Sequence, residues 1–259
     1  MLDSDSHAGR VALVTGAGRG IGRAIADAHA AAGASVIYLD HDAALVEEAA
    51  AAATARGWRA VAVTADVADE ASVAEAVRRG TEALGPVTLL VNNAGISPKT
   101  GSAGGKAFVW DMQADEWRRV LDVNLTGAFL VTRAVVPQMR EARYGRIVSI
   151  SSVAGRTYCD IVGVHYAATK AALIGFTKHL AGELGPAGIT VNAVAPGRID
   201  TPLMRGTSAE TNEAVRQATP LQRLGTPEEV AAVCLFLTSD KAGFVTGQVC
   251  DVAGGWLMT

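Results

Sequence analysis

Five β-prone residues, Val11-Ala-Leu-Val-Thr15, run straight into Gly16-Ala-Gly-Arg-Gly-Ile-Gly22, and a helical apolar pattern (Ile21, Ile25, Ala28, Ala32) carries on to Gly33. No other feature narrows the fold so far. A strand, a glycine-dense turn and a helix in that order open a βαβ unit. Glycines let the backbone turn tightly and approach a pyrophosphate, which the N–H groups of the helix start then hold. Gly16, Gly20 and Gly22 are the candidates for that cradle, with Arg19 and Ile21 between them. Ile21 stands where a strict Gly-x-Gly-x-x-Gly would place its third glycine. A plain βα turn is the alternative reading, and the density of glycine argues against it.

The remaining chain repeats the alternation. A second strand, Ser35 to Leu39, ends in Asp40, twenty residues after Gly20, where a βαβ unit sets a carboxylate against the adenosine ribose. Asp42 is the better N-cap for the helix expected over 43–56. A third strand over 60–64 leads to Asp66-Val67 and a helix over 69–84. A fourth over 88–91 ends in Asn92-Asn93-Ala94-Gly95, and the segment from Ser97 to Gly105 reads as a loop. A long helix over 115–141 carries Asn124, which is either turned to solvent or recruited to a site. A fifth strand covers 146–150, a helix 164–184, and a sixth strand 189–194, after which Pro196-Gly197 turns the chain. Residues 198–225 read as a substrate lid. Thr226-Pro-Glu-Glu229 starts a helix that ends near Leu237, and a last strand covers 248–252. Seven strands alternating with helices predict an α/β chain, one single-domain Rossmann fold with a doubly wound seven-stranded parallel sheet and helices on both faces. Residues 1–9 are expected to be a flexible N-terminus.

The chemistry-bearing stretch is Ser152 to Lys170. Tyr166 and Lys170 are four apart on a helix and share a face, with Cβ atoms roughly 5–6 Å apart. A free phenol has a pKa of about 10, and a nearby ammonium is expected to pull it down. Such a pair suits proton transfer on an alcohol oxygen. Ser152, at the end of the fifth strand, is placed to hydrogen-bond the same oxygen. Tyr-x-x-x-Lys alone also arises by chance in helices. Other classes are excluded more firmly. A net charge of −3 without a basic cluster speaks against nucleic acid. No apolar run approaches the roughly 18 residues of a membrane span. Three scattered cysteines and five histidines show no metal spacing, and reduced thiols suit a cytoplasmic protein.

Taken together, Thr15-Gly16-x-x-x-Gly20-Ile21-Gly22, Asn92-Asn93-Ala94-Gly95, Asn124, Ser152, Tyr166-x-x-x-Lys170 and Pro196-Gly197 resemble the short-chain dehydrogenase/reductase family over the whole chain. Its 3-oxoacyl-ACP reductase-like branch is the nearest in general pattern. The resemblance implies that Tyr166 is the general acid/base and that Ser152 polarises the substrate oxygen. It implies that Lys170 lowers the Tyr166 pKa and binds the nicotinamide ribose, and that Asn124 anchors a water relay. Asp66 and Val67 become adenine contacts, Asn93 a neighbour of the dinucleotide, and Thr201 a carboxamide contact. Tyr166 lies fourteen positions after Ser152, one more than the commonest family spacing, so an extra residue is expected in the loop holding Tyr158, Cys159 and Asp160. Cys159 reads as a pocket-lining thiol, and His165 as structural or a substrate contact.

The leading function is hydride transfer between a nicotinamide cofactor and a secondary alcohol or ketone, with sugar and polyol dehydrogenases sharing the same features. A non-catalytic dinucleotide-binding regulator should lack part of the tetrad. A nucleotide-sugar epimerase would need more chain after Lys170. A serine hydrolase would need a Gly-x-Ser-x-Gly elbow around Ser152. Arg19 favours a 2′-phosphate and Asp40 repels one, and the fixed carboxylate is expected to win, giving NAD over NADP. The helices over 115–141 and 164–184 carry more apolar and alanine positions than one sheet face needs, and the resemblance implies that they pack against a neighbour's, so a homotetramer is expected.

Overall fold

The computed structural model describes residues 6–101, 105–201 and 208–258. Within them lie seven strands: β1 (Val11–Thr15), β2 (Ser35–Asp40), β3 (Ala60–Thr64), β4 (Leu89–Asn92), β5 (Gly145–Ile150), β6 (Ile189–Pro196) and β7 (Val249–Val252). They form one sheet in the order β3-β2-β1-β4-β5-β6-β7, every pair parallel. Parallel strands need crossover connections, and helices supply them. These are α1 (Gly20–Ala31), α2 (Ala43–Ala55), α3 (Glu70–Leu84), α4 (Ala114–Leu121), α5 (Gly127–Ala142), α6 (Val164–Leu184), α7 (Ala209–Ala218) and α8 (Pro227–Thr238). The expected elements are all present, with ends displaced by a residue or two.

Sheet residues alternate between two cores because successive side chains point to opposite faces. Ala12 and Val14 join Ile25 of α1 and Val230 and Leu237 of α8 on one face. Val11 and Leu13 join Val73 and Val77 of α3 and Val131, Val135 and Met139 of α5 on the other. With both faces covered, β1, β2, β4, β5 and β6 are buried along their whole length rather than at alternate positions. The strand order reverses between β1 and β4, and a crevice opens there beyond the strands' carboxyl ends.

Capping signals read from the sequence are realised. Asp42 Oδ1 accepts the Leu45 N–H at 3.2 Å, and Thr226 and Glu229 form a reciprocal capping box at the start of α8. Two expectations change. The helix expected over 115–141 is continuous but contains a π-helical insertion, Asp122–Thr126, which holds Asn124. Its Ala114–Ala142 run is long and apolar enough to cross a membrane by length and composition, yet half of its most apolar stretch is buried inside the domain. Its apolar residues are used against the sheet and α3.

The second change concerns the N-terminus. Residues 1–5 lie outside the described residues, but His7 is fully enclosed. Its N–H donates to Ala32 O at 2.9 Å, and its Nε2 shares Thr238 Oγ1 with His29 Nε2, at 3.0 and 2.9 Å. Thus the described chain is tied at His7 to both α1 and α8. Burial holds the His29 imidazole down at about 4, with His7 adding to the depression, and burial lowers His7 as well. The unfolded chain takes up these protons near pH 6.5, whereas the folded protein refuses His29 its proton until about 4. Stability is therefore complete above about pH 6.5 and is lost as the pH falls from there toward 4. Urea unfolding at about pH 5 should show about 2 kcal/mol less stability than at about pH 7.5. Equal midpoints at the two pH values would contradict this.

Candidate active site

The glycine turn and the Asn92–Gly95 stretch are one unit built across the switch point. Gly16 and Gly20 take φ values of +66° and +60°, which only glycine adopts cheaply. A Cβ on Gly22 would lie 2.0 Å from Gly16 O and 2.4 Å from Asn93 Nδ2. Asn93 Nδ2 donates to Thr15 O at 2.9 Å and Gly16 O at 3.2 Å, while Thr15 Oγ1 accepts the N–H groups of Asn93 and Ala94, both at 3.0 Å. Asn93 therefore clamps the turn. Asp40 does the same from β2: its carboxylate accepts the Gly18 N–H at 2.9 Å and the Asp42 N–H at 3.2 Å, and His41 Nδ1 stands 3.0 Å away. Asp40 is thus a buried brace of the turn as well as a residue of the cleft wall. Arg19, by contrast, is exposed. Asp66 meets Arg119 at 3.4 Å on the far side. Cβ-free backbone at a helix N-terminus, facing a crevice with a fixed carboxylate, fits a dinucleotide.

The second half of the site comes from β5 and α6. Ser152 caps a short 3₁₀ turn, Val153–Gly155, by accepting the Ala154 N–H at 3.1 Å. A Cβ on Gly155 would lie 2.5 Å from the backbone carbon of Lys170, so glycine there lets the turn press onto α6. Ser151 Oγ donates to Lys170 O at 2.7 Å and locks that contact. This packing sets Ser152 and Tyr166 together on the cleft lining, near enough for the Ser152 hydroxyl to pull the phenol's pKa down. Lys170 Nζ lies 5.5 Å from the centre of the Tyr166 ring and donates to Ile150 O at 2.7 Å.

The electrostatics differ from the expectation that Lys170 pulls the phenol down. Burial pushes Tyr166 up to about 12, against a downward pull from the Ser152 hydroxyl and Arg198. Burial likewise lowers Lys170 to about 8. The ammonium faces the ring and the Ile150 carbonyl rather than the phenol oxygen, and desolvation of both groups outweighs their attraction.

Asn124 lies behind this pair. Its Oδ1 accepts the Ile96 N–H at 2.8 Å, and its Nδ2 donates to Ile96 O at 3.0 Å and Thr169 Oγ1 at 3.2 Å. The π insertion turns the side chain inward, and insertions of this kind are frequent at functional sites. The alternative of a solvent-facing asparagine is ruled out by its burial.

A cleft of about 580 Å³ joins the two halves. Gly16, Arg19, Gly20, Ile21, Gly22, Asp40, Asp66, Val67, Asn93, Ala94, Gly95, Ser152, Tyr166, Lys170, Pro196, Gly197 and Thr201 all line it, and Asn124 alone of the expected residues stands behind the wall. Within the expected lid over 198–225, residues 202–207 lie outside the described residues, as do 102–104 of the earlier loop. His165 is fully buried against Glu116 at 2.8 Å, and its Nδ1 accepts the Tyr166 N–H, so it positions the helix start. Cys159 lines the cleft with its thiol pushed up by burial, which leaves it a poor nucleophile. Lys99, Ile161, Val162, Arg198 and Trp256 also line the cleft; Arg198 falls at the start of the expected lid, and none of the five was singled out as a site residue. Lys99 and Arg198 directly follow segments that motif reading does reach, and that adjacency was the available signal.

Comparison with known proteins agrees with this geometry. The family described as Enoyl-(Acyl carrier protein) reductase matches residues 16–257. A 3-oxoacyl-(acyl-carrier-protein) reductase of Aquifex aeolicus is 44% identical over 251 residues, covering 95% of this chain and 97% of that protein. A crystal structure of a 3-oxoacyl-(acyl-carrier protein) reductase from Brucella melitensis superposes with a TM-score of 0.94 at 52% identity, over 98% of this chain and 94% of the other. A second from Brucella melitensis, with bound NAD, gives 0.92 at 51% over the same shares. The glycine turn clamped by Asn93, the Ser152–Tyr166 contact and the full-length similarity lead to one conclusion: the chain is an oxidoreductase of the short-chain dehydrogenase/reductase family, in its 3-oxoacyl-ACP reductase-like branch.

Proposed function

We propose that this enzyme transfers hydride between NAD and a secondary alcohol or ketone, with Tyr166 as general acid/base. The meeting of Ser152 and Tyr166 on the cleft lining, with Lys170 on the ring face, is the observation that carries the reading. The nicotinamide cofactor supplies the hydride. Ser152 holds the substrate oxygen beside the phenol. Tyr166, protonated through neutral pH, donates its proton to that oxygen in reduction and takes one back in oxidation. Lys170 serves the nicotinamide ribose, Thr201 the carboxamide, and Asp66 and Val67 the adenine. Asn124, wedged between Ile96 and Thr169, anchors the proton relay behind Tyr166 and Lys170.

NAD is favoured over NADP by Asp40. Its carboxylate, held by two backbone N–H groups, cannot swing away from the ribose hydroxyls. Charge-assisted bonds to those hydroxyls are worth about 1.5–3 kcal/mol, and a 2′-phosphate would meet like charge instead. Exposed Arg19 can turn to solvent. The bound NAD of the Brucella relative supports the same choice. With one good ketone substrate, kcat/KM for NADH should exceed that for NADPH by at least about tenfold, equivalent to about 1.4 kcal/mol. Asp40→Ala should erode the ratio, although the lost brace on Gly18 will also lower affinity for both. A wild type that prefers NADPH would reverse the assignment, and a wild type inactive with either on a panel of ketones, polyols and 3-hydroxyacyl thioesters would sink the reading.

We also propose a cytoplasmic homotetramer. Trp117 and Phe129 on the α4–α5 helix and Val164 on α6 remain exposed, as does Phe244 near the last strand. Light scattering at micromolar concentration that gave a 26.6 kDa monomer would contradict it.

A further inference from the structure

Two cations in the cleft hold neither cofactor nor transferred proton in the scheme above, although Arg198 draws the Tyr166 pKa down. Lys99 sits on the loop leaving β4, and Arg198 follows the Pro196-Gly197 turn at the end of β6. Both are half-buried, and both line the cleft with Ser152, Tyr166 and Cys159. Burial lowers the pKa of each, and the Arg198 charge lowers Lys99 further, so the two repel. Folded proteins seldom enclose such groups without a carboxylate opposite.

None faces them among the described residues. Arg198 donates through Nε and Nη2 to the neutral Asn212 Oδ1, at 3.1 and 2.7 Å, and Lys99 donates to the Ile161 carbonyl. Asp160 is engaged by Lys106 at 2.6 Å and by the Tyr158 hydroxyl at 2.8 Å, and Asp251 by Arg156 at 2.8 Å. The segments outside the described residues on these loops, 102–104 and 202–207, contain no Asp or Glu. Ser97 Oγ, on the same lining, is buried without a hydrogen-bond partner.

Arg198 is also held in place. Its carbonyl accepts the Gly225 N–H at 3.0 Å, Ile199 bridges Gly225, and Asn212 of α7 grips the guanidinium. The Asn212 contact leaves the Nη1 hydrogens unengaged among the described residues. Two converging cations, one of them a planar fork suited to bidentate binding, make a receptor for a carboxylate.

We propose that Lys99 and Arg198 form an anion subsite beside Tyr166, and that the substrate is a small ketone or secondary alcohol bearing a carboxylate within a few bonds of the reacting carbon. This rests on the reductase reading and narrows it. A neutral acyl thioester would leave both cations uncompensated once it displaced water from the cleft, whereas a carboxylate satisfies them and fixes which way round the ketone lies.

The test compares 2-oxobutanoate and 3-oxobutanoate with their methyl esters, in the wild type and in Lys99→Met, Lys99→Arg and Arg198→Met. In the wild type at least one acid should exceed its ester in kcat/KM by about tenfold or more. Both Met variants should cut that acid-to-ester ratio at least about tenfold, and Lys99→Arg should keep it within about threefold. Because the ratio is taken within each protein, partial misfolding cancels. Ester turnover with no gain for either acid would overturn the anion subsite and leave the reductase standing. A ratio unmoved by both Met variants would overturn it as well. Turnover of neither acid nor ester by an enzyme active on other members of the wider panel would overturn this inference alone, while inactivity on that whole panel would fail the reductase reading and this inference with it.

Discussion

Tyr166→Phe is expected to lower turnover by about 10²–10⁴, the range for loss of a general acid/base, while cofactor affinity stays nearly intact. Phenylalanine keeps the ring against Lys170 Nζ, 5.5 Å from its centre, and keeps the shape of the cleft. What disappears is the hydroxyl beside Ser152 that carries the proton. Titrating cofactor binding by fluorescence, beside steady-state turnover, separates the two effects. A mutant retaining more than about half of wild-type turnover would end the assignment. The pH profile adds a check. With burial holding the phenol at about 12 and Lys170 at about 8, the phenol stays protonated across neutrality while the ammonium does not survive far above 8. Ketone reduction should therefore be nearly level through neutral pH and decline above about 8 as Lys170 loses its charge. A profile rising through that range would mean that the phenolate, not the phenol, is the working form.

Gly22→Ala is expected to weaken cofactor binding at least about 100-fold and to destabilise the fold by about 1–3 kcal/mol, the usual scale of overpacking. Alanine is the better helix former by up to about 1 kcal/mol, and α1 should gain by it. The added Cβ, however, would stand 2.0 Å from Gly16 O and 2.4 Å from Asn93 Nδ2. Both are held by the clamp between β1 and β4, so neither can yield without opening the turn. Gly175, in α6, has open space where its Cβ would go, and Gly175→Ala should leave binding unchanged and the fold slightly more stable. Cofactor titration and urea midpoints on the pair decide the matter. Gly22→Ala binding within about threefold of wild type would show that the turn is not the cradle.

Much of this was legible from the residues in order, because it depends on neighbours a few positions apart. The strand–glycine–helix opening, the Asp42 and Thr226 caps, and the shared face of Tyr166 and Lys170 follow from backbone geometry and side-chain spacing within one element. A parallel, doubly wound sheet then follows from the alternation of strands and helices and from the handedness of crossovers, while the order of its strands comes from the structure. Every predicted cofactor-cradle residue reached the cleft for that reason.

What the tertiary structure alone decided are meetings between distant residues and the solvation they create. The π insertion that turns Asn124 inward adds one residue to a helical turn without any residue type announcing it. His7 joins His29 through Thr238, 231 positions away, so a segment that reads as loose is clamped. Lys99 and Arg198 line one cleft only because β4 and β6 run parallel and end on the same side of the sheet. The Tyr166 phenol rises rather than falls because burial acts on it more strongly than an ammonium directed at its ring and at Ile150 O. Spacing along a chain tells which groups share a face. It does not tell how much water they lose, and that loss sets their charge.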